Sequence, residues 1–335
     1  MRFLSRSAAS RLPMPALLVT AVLVSPTAPA AAAADSFPDH PITIVVPYSA
    51  GGGVDTLVRI ISPLLAQKLG QAVLIENRAG VSGMVGAAVA ARAKPDGYTL
   101  LAGNTTTNVT NLFVYKQLPY DPRKDFIPLA MVSRGPCVLV VPPDSKFNSV
   151  QDVIQGLKAA PPDTLTYGTS GNGSFQHMSA VLFSSLTQTH MRQIAYKGSP
   201  NVLTDVIGKR LDMAFEVIPV AEPLIKAGKV KALAVTSKTA IPALPGVKPV
   251  ADLGLPNFEM VAWKGIFAPA GTPEPVARKL GEALSAVIQL PEIRQRIENL
   301  GEIADGRGNA EFGQAVQADI AYWGPILHNA GVQPE

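Results

Sequence analysis

The sequence predicts an α/β fold built as two domains that share crossover strands. Three observations lead there. Short apolar, β-branched runs alternate with longer segments of helical period, the pattern of largely parallel sheets covered by helices. At 335 residues, 47% of them apolar and 16% charged, the chain can fill two ordinary cores. No repeat, low-complexity tract or long linker interrupts it, so strands passing between two domains suit it better than two domains in series.

The strand candidates are "ITIVVP" (42–47), "AVLIEN" (72–77), "YTLLAG" (98–103), "CVLVVP" (137–142), "LTYGTS" (165–170), "LDMAFE" (211–216), "VKALAVTS" (230–237) and "GIFAPA" (265–270). Helices fill the gaps. Leu57, Val58, Ile61, Leu64 and Leu65 recur at the three-to-four spacing of one buried stripe. Pro63 falls inside that stripe, which predicts a kink or a shorter helix. Near the C-terminus "GTPEPVARKLGEALSAVIQ" reads as a long helix with Thr272 as N-cap and Pro273 at the first helical position. "PEIRQRIENLG" and "NAEFGQAVQADIAYWGPIL" add two more. The tail beyond residue 270 is therefore expected to be all helical and to need a surface to dock on.

The first thirty-four residues stand apart from the fold. Arg2, Arg6 and Arg11 precede the apolar run "MPALLVTAVLV", and small residues follow to Ala34, the order of a secretory signal peptide cleaved near Ala34. The run is short for a bilayer span, and nothing of about 18 apolar residues follows it. A mature exported protein beginning near Asp35 is expected. The leader carries three arginines and no acid, so 29 − 3 = 26 basic residues remain against 25 acidic ones. With no basic stripe, nucleic acid is not an expected partner. Cys137, the only cysteine, leaves no intramolecular disulfide and reads as a small core hydrophobe.

In "ITIVVPYSAGGGVDTLVR" (42–59) a strand feeds three glycines and an amphipathic segment. Glycines there permit positive φ and bare the backbone N–H groups, and a helix start behind them makes an anion site. One such end contributes only about 0.3–1 kcal/mol, so one loop alone does not explain specific binding. "GGGVDT" lacks the Lys-Ser/Thr of a phosphate loop and the spacing of a dinucleotide fingerprint, and "GVSGMVG" (80–86) fits neither. "GTSGNGS" (168–174) approaches a nucleophile elbow but has Asn172 at the final glycine. His40, His177, His190 and His328 form no metal motif, so neither a metal nor a cofactor is expected. "YGTSGNGSFQH" follows a second strand and leads into "MSAVLFSSL". Two Gly/Ser-rich loops from separate halves, each at a helix start, suit an anion held between two lobes; a plain strand-to-helix turn is the alternative for each.

The stretches "PITIVVPYSAGGGVD", "VLIENRAG", "AKPDGYTLLAGN", "YGTSGNGSFQHM", "AYKG", "VKALAVTS" and "GIFAPAGTP", in that order from about Phe37, resemble the Bug-type substrate-binding proteins of tripartite tricarboxylate transporters. That resemblance implies a two-lobed, periplasmic binding protein-like fold of the Venus-flytrap type II class, with crossover strands near 137–142 and 265–270. The expected division is residues 35–138 plus 266–335 in lobe 1 and 139–265 in lobe 2. It further implies a monomeric periplasmic receptor that holds a small organic carboxylate between the lobes and delivers it to membrane permease subunits. Carried over by motif position, Tyr48, Gly51, Gly52 and Asp55 come from the first lobe and Ser170, Gly171, Gly173 and Ser174 from the second, with His177 in the same motif. Asn104 and Thr105 face the cleft from the first lobe, and Tyr196 and Glu216 are further wall candidates. The chain departs from the family pattern at Ala79, Val81-Ser82, Ala195 and Glu216, which bears on loop shape and ligand size.

Asp55 can orient an amine or a bound water, or only cap the helix. Tyr48 can stack on a planar ligand or serve as wall. Ser170 and Ser174 can donate to carboxylate oxygens or bond their own backbone. Lys197 reads as solvated, and Trp263, just before the second crossover, as lining the hinge or, in preference, packing under the C-terminal helices. Two other functions stay open: an extracytoplasmic sensor that engages a signalling partner, and an exported serine hydrolase using Ser170 or Ser174 with His177.

Overall fold

The computed structural model describes residues 37–329 with Val332 and Pro334; the leader lies outside the described residues. One long strand explains the architecture. β4 (Phe126–Val141) pairs antiparallel with β9 (Val261–Pro269) from Phe126 to Pro136, then from Cys137 onward with β7 (Met213–Val217) and β8 (Lys231–Val235). It thus belongs to two sheets. The first contains β2 (Val73–Asn77), β1 (Ile42–Val46), β3 (Thr99–Asn104), β9 and β4 in that order; the second continues through β7, β5 (Thr166–Thr169) and β6 (Arg192–Ala195). β1–β2, β1–β3, β5–β6 and β5–β7 are parallel, while β9 and β4 pair antiparallel with their neighbours. The sheets are therefore mixed, because the two crossing strands run against the parallel sets.

The chain returns to the first sheet after β8: the Met260 amide bonds the Thr236 carbonyl at 2.8 Å, and β9 pairs with β4 from Val261. Residues 137–141 thus pair within the second sheet, and residues 261–269 lie wholly in the first. Two lobes result, joined side by side at these passages.

Three expectations are corrected. First, β4 begins at Phe126, eleven residues before the "CVLVVP" run; Pro128 and Pro136 sit in the part paired with β9, and a register shift follows Pro128. Second, the tail is not all helical: β10 (Ile303–Ala304) pairs antiparallel with Ser133 and Arg134 of β4. β6 is likewise a strand that the polar "RQIA" conceals. Third, α1 (Gly53–Leu69) continues through Pro63, which lies on its exposed side, where water can satisfy the carbonyl that loses its amide. The long tail helix α8 (Glu274–Ile288) has Pro273 as its N-cap, while the Thr272 hydroxyl turns back to the Pro269 carbonyl at 2.8 Å.

The remaining helices are α2 (Met84–Ala91), the short α3 (Asn111–Val114), α4 (Val150–Ala159), α5 (Phe175–Thr187), α6 (Ser199–Ile207), α7 (Ile218–Lys226), α9 (Pro291–Glu298) and α10 (Asn309–Asn329). The tail docks on the first sheet. α10 buries Phe312, Val316, Trp323 and Leu327, with Phe312 edge-on to Trp263 at 5.0 Å between ring centroids. At roughly 1.5–3 kcal/mol per buried large apolar side chain, these four hold the tail firmly. Cys137 is fully buried in β4.

Candidate functional site

A cleft lies where the two sheets meet. Three helix beginnings converge on it: Gly52, Gly53 and Val54 at α1, Phe175 and Gln176 at α5, and Gly198 and Ser199 at α6. The first amides of a helix have no partner within it. α1 and α6 have glycine N-caps, Gly52 and Gly198, that supply no side-chain acceptor. At α6, Pro200 carries no N–H and the Asn201 amide bonds the Gly198 carbonyl, which leaves the Ser199 amide as the orphan. α5 differs, because the Ser174 hydroxyl accepts from the His177 amide at 3.2 Å.

The Gly-rich loops build this geometry. Gly51 adopts φ +76°, and its amide donates to Asp55 Oδ2 at 2.8 Å. Asp55 also receives Arg59 Nε at 2.8 Å and Asn77 Nδ2 at 2.9 Å. Both carboxylate oxygens are thus occupied from inside the first lobe, and hydrogen bonds from Arg59, Gly51 and Asn77 outweigh burial to hold the carboxyl below its ordinary range. Asp55 stands at the third helical position, behind the Gly52 cap, where it ties the loop down. In the second loop, Gly171 and Gly173 have φ of +111° and +67°. The Gly173 amide donates to His177 Nδ1 at 3.0 Å, and burial holds the imidazole down to about 4, so it is neutral. The Ser170 hydroxyl donates to Gln176 Oε1 at 3.0 Å. Neither serine hydroxyl is bonded to the His177 ring, so the nucleophile–base pair of a hydrolase is not formed at this loop.

Of the expected site residues, Tyr48, Gly52, Asn104 and Thr105 from the first lobe and Ser170 from the second line the cleft. The Tyr48 hydroxyl donates to Asn104 Oδ1 at 3.1 Å, and burial pushes it up to about 12, so it keeps its proton. Thr105 Oγ1 accepts the Trp263 amide at 3.2 Å. Gly51, Gly173 and Ser174 of the loops and Asp55 and His177 of the first helical turns do not line the cleft, and Gly171 lines a separate groove. Tyr196 faces a separate groove with Lys197 and donates to Asp205 at 2.7 Å. Glu216 is fully buried in β7, one residue from the lining Val217.

Several lining residues escape sequence reasoning. Lys264 is 5% exposed, its Nζ 2.5 Å from Glu302 Oε1, whose other oxygen accepts from Ser133 at 2.8 Å. A lysine inside the apolar run "VAWKGIF" is the usable signal, since buried lysines need a partner; the partner lies 38 residues away. Trp263 lines the cleft and also packs under the tail, with Nε1 donating to Asp319 at 2.6 Å. Gly198 and Ser199 open a Pro-started helix after "AYKG", a helix-start signature legible in principle.

Contacts between the lobes flank the cleft. On one side the Ser82 hydroxyl donates to the Asn172 carbonyl at 2.6 Å and the Thr110 hydroxyl to that of Gly173 at 2.5 Å. On the other the Ser49 hydroxyl reaches the Lys197 carbonyl at 3.4 Å. The lobes are closed on each other. Among the described residues no group of three or more His, Cys, Asp or Glu gathers for a metal, and no helix is long and apolar enough to cross a membrane.

Comparison with known proteins places this geometry. The chain matches the family described as tripartite tricarboxylate transporter family receptor over residues 57–332. It is 35% identical to a UPF0065 protein of Pseudomonas sp. strain P51 encoded between tcbD and tcbE, over 88% of this chain and 87% of that one. It is 32% identical to the protein BugT of Bordetella pertussis, over 76% and 78%. Among solved structures, Rpa4515 of R. palustris with adipate superposes with a TM-score of 0.86 at 32% identity, covering 89% of this chain and all of that one. MatC of Rhodopseudomonas palustris with bound malate gives 0.83 at 31%, covering 87% and 100%. The periplasmic binding protein BugD gives 0.85 at 30%, covering 89% and 100%. The chain belongs to the Bug-type receptors of the tripartite tricarboxylate transporter family, with their two-lobed periplasmic binding protein fold.

Proposed function

We propose that this chain is an exported periplasmic receptor that captures a small organic carboxylate between its lobes and delivers it to the membrane subunits of a tripartite tricarboxylate-type transporter. One observation carries the reading: the glycine-capped N-termini of α1 and α6, from opposite lobes, open onto the same cleft. Each end contributes about 0.3–1 kcal/mol toward an anion, rising to about 2 when partly buried. Hydrogen bonds from hydroxyls and amides to a charged acceptor add about 1.5–3 kcal/mol each. Micromolar binding needs about −8 kcal/mol net, within reach of a handful of these without an arginine.

The residues proposed to touch the carboxylate are Tyr48, Gly52, Asn104, Thr105 and Ser170, joined by the amides of Gly53, Val54 and Ser199. Gly51, Asp55, Gly171, Gly173, Ser174 and His177 shape the two loops. Lys264 stands in the wall as half of an ion pair. Adipate in Rpa4515 and malate in MatC support a small aliphatic acid. The expected lobe limits of 138/139 and 265/266 are proposed to move to 136/137, where β4 changes partner, and to 260/261, where the chain re-enters the first sheet as β9. Ligand bridging both loops stabilises the closed arrangement, and the permease reads that state.

The test is a thermal-shift screen of the purified mature protein against mono-, di- and tricarboxylates, aromatic acids, amino acids and neutral sugars. At one hundred times Kd a ligand adds about 2.7 kcal/mol, and a carboxylate is expected to raise Tm by roughly 5 °C. A shift produced by neutral compounds and by no carboxylate contradicts the reading.

A further inference from the structure

Behind the second-lobe wall a chain of polar side chains runs inward. The Ser170 hydroxyl donates to Gln176 Oε1 and Gln176 Nε2 donates to Ser199 Oγ, each at 3.0 Å. All three residues are buried and line the cleft. The Ser199 and Gln176 side chains lie beside the carboxyl of Glu216, which is fully buried. Glu216 Oε2 receives the Val217 amide at 3.2 Å, but no donor completes a hydrogen bond to Oε1. A buried ionised oxygen without a partner is costly, whereas a protonated one becomes a donor in search of an acceptor. The side-chain acceptors beside it are the Ser199 hydroxyl and the Gln176 amide oxygen, and the latter already accepts from Ser170, which favours Ser199 Oγ.

Resting on the carboxylate reading above, we propose that Glu216 is a positioning residue whose neutral acid form turns the Ser199 hydroxyl into a donor toward a carboxylate in the cleft. The bookkeeping of protons makes this specific. Ser199 Oγ already accepts from Gln176, so it has one proton to give and one lone pair left. When Glu216 is ionised, Ser199 gives its proton to Glu216 and turns its remaining lone pair to the cleft, which repels an anion. When Glu216 carries a proton on Oε1, that proton fills the lone pair, and the Ser199 hydroxyl is released to bond the ligand.

Burial pushes the Glu216 carboxyl up to about 8, although Ser199, the Val217 amide and Gln176 oppose the shift. The elements packed against β7 offer no competing switch. From β4 comes Cys137, whose thiol burial pushes well up; from β5, Tyr167, raised by burial; from α5, His177, held neutral. Asp205 of α6 is paired with Tyr196 and Arg210, and Glu222 of α7 with Lys226. Lys264, across the cleft, is paired with Glu302.

The test is calorimetric titration of wild type, Glu216→Gln and Ser199→Ala with adipate, malate, acetate and benzoate at pH 6.5 and 9, where all four acids are ionised. With the wild-type carboxyl titrating near 8, the neutral fraction falls about elevenfold by pH 9, and affinity is expected to fall about tenfold with it. Glu216→Gln, neutral at both pH values, is expected to hold one affinity throughout; Ser199→Ala is expected to bind more weakly at pH 6.5 and without the pH dependence. Wild-type affinity that is equal at both pH values, or a Glu216→Gln variant that weakens as the wild type does, overturns this inference while leaving the carboxylate reading intact. No binding of any of the four acids by any protein overturns both.

Discussion

Gly171→Ala tests whether the second glycine loop serves closure. A Cβ built at Gly171 lies 2.3 Å from Ser82 Oγ, which belongs to the other lobe. Ser82 must then swing away, and it is not idle: its hydroxyl donates to the Asn172 carbonyl at 2.6 Å and bonds the Tyr115 hydroxyl at 3.0 Å. Losing two such bonds costs about 1 kcal/mol each, and the loss falls on the closed state alone. About 2 kcal/mol corresponds to roughly 30-fold weaker binding. Alanine at φ +111° adds about 1–3 kcal/mol of backbone strain, but open and closed states share it, so it shows as a lower Tm and not as a change in Kd. Calorimetry with the carboxylate giving the largest thermal shift separates the two. Ser82→Ala removes the atom the new methyl meets, so the double variant is expected to bind about as Ser82→Ala does. A folded Gly171→Ala protein with lowered Tm and unchanged affinity refutes closure through this contact.

Other expectations concern the wall and its charges. Lys264→Met leaves Glu302 buried without its cation, and urea unfolding is expected to show a loss of about 3–5 kcal/mol that adding Glu302→Gln largely repairs. Trp263 is one of two tryptophans and the one lining the cleft; Trp263→Phe is expected to remove most of the ligand-induced fluorescence change. His177 titrates near 4 when folded against an ordinary 6.5, so between those values the unfolded chain binds its proton first. Stability is expected to fall as pH drops through that window, by up to about 1.4 kcal/mol per unit, and His177→Asn to flatten the loss. Glu216 has the opposite sign: its folded value near 8 lies above the ordinary 4.5, so the native protein keeps a proton the unfolded chain has released. Its contribution is complete below 4.5 and declines toward pH 8, and Glu216→Gln is expected to remove that decline in a denaturation series.

The parallel strands β1, β2, β3, β5 and β7 were legible because their apolar runs end in glycine, proline or polar turns, whereas the polar β6 was not. The part of β4 before Cys137 was not, since Pro128 and Pro136 argue against a central strand until β9 supplies a ladder with register shifts. β10 is two residues long and exists because Ser133 and Arg134 offer it an edge, information held 170 residues away. In the site, the bare glycine turn before α1 was readable from local chemistry. Asp55 was not fully so: its position predicted a cap, and only the fold shows Gly51, Arg59 and Asn77 closing around it. Gln176, Ser199 and Glu216 form a chain across three elements, and no one-dimensional spacing encodes it. Lys264 was visible as an oddity in an apolar run, but its meaning depends on Glu302.

The central claim is that the cleft recognises negative charge through the helix N-termini of both lobes. Calorimetric titration with adipate and with adipamide, its uncharged diamide, at pH 6.5 tests it most directly, with malate and malamide as the second pair. The acid of at least one pair is expected to bind at micromolar Kd, and its amide at least a hundredfold more weakly. Equal affinity for acid and amide, or binding of the amides alone, contradicts it.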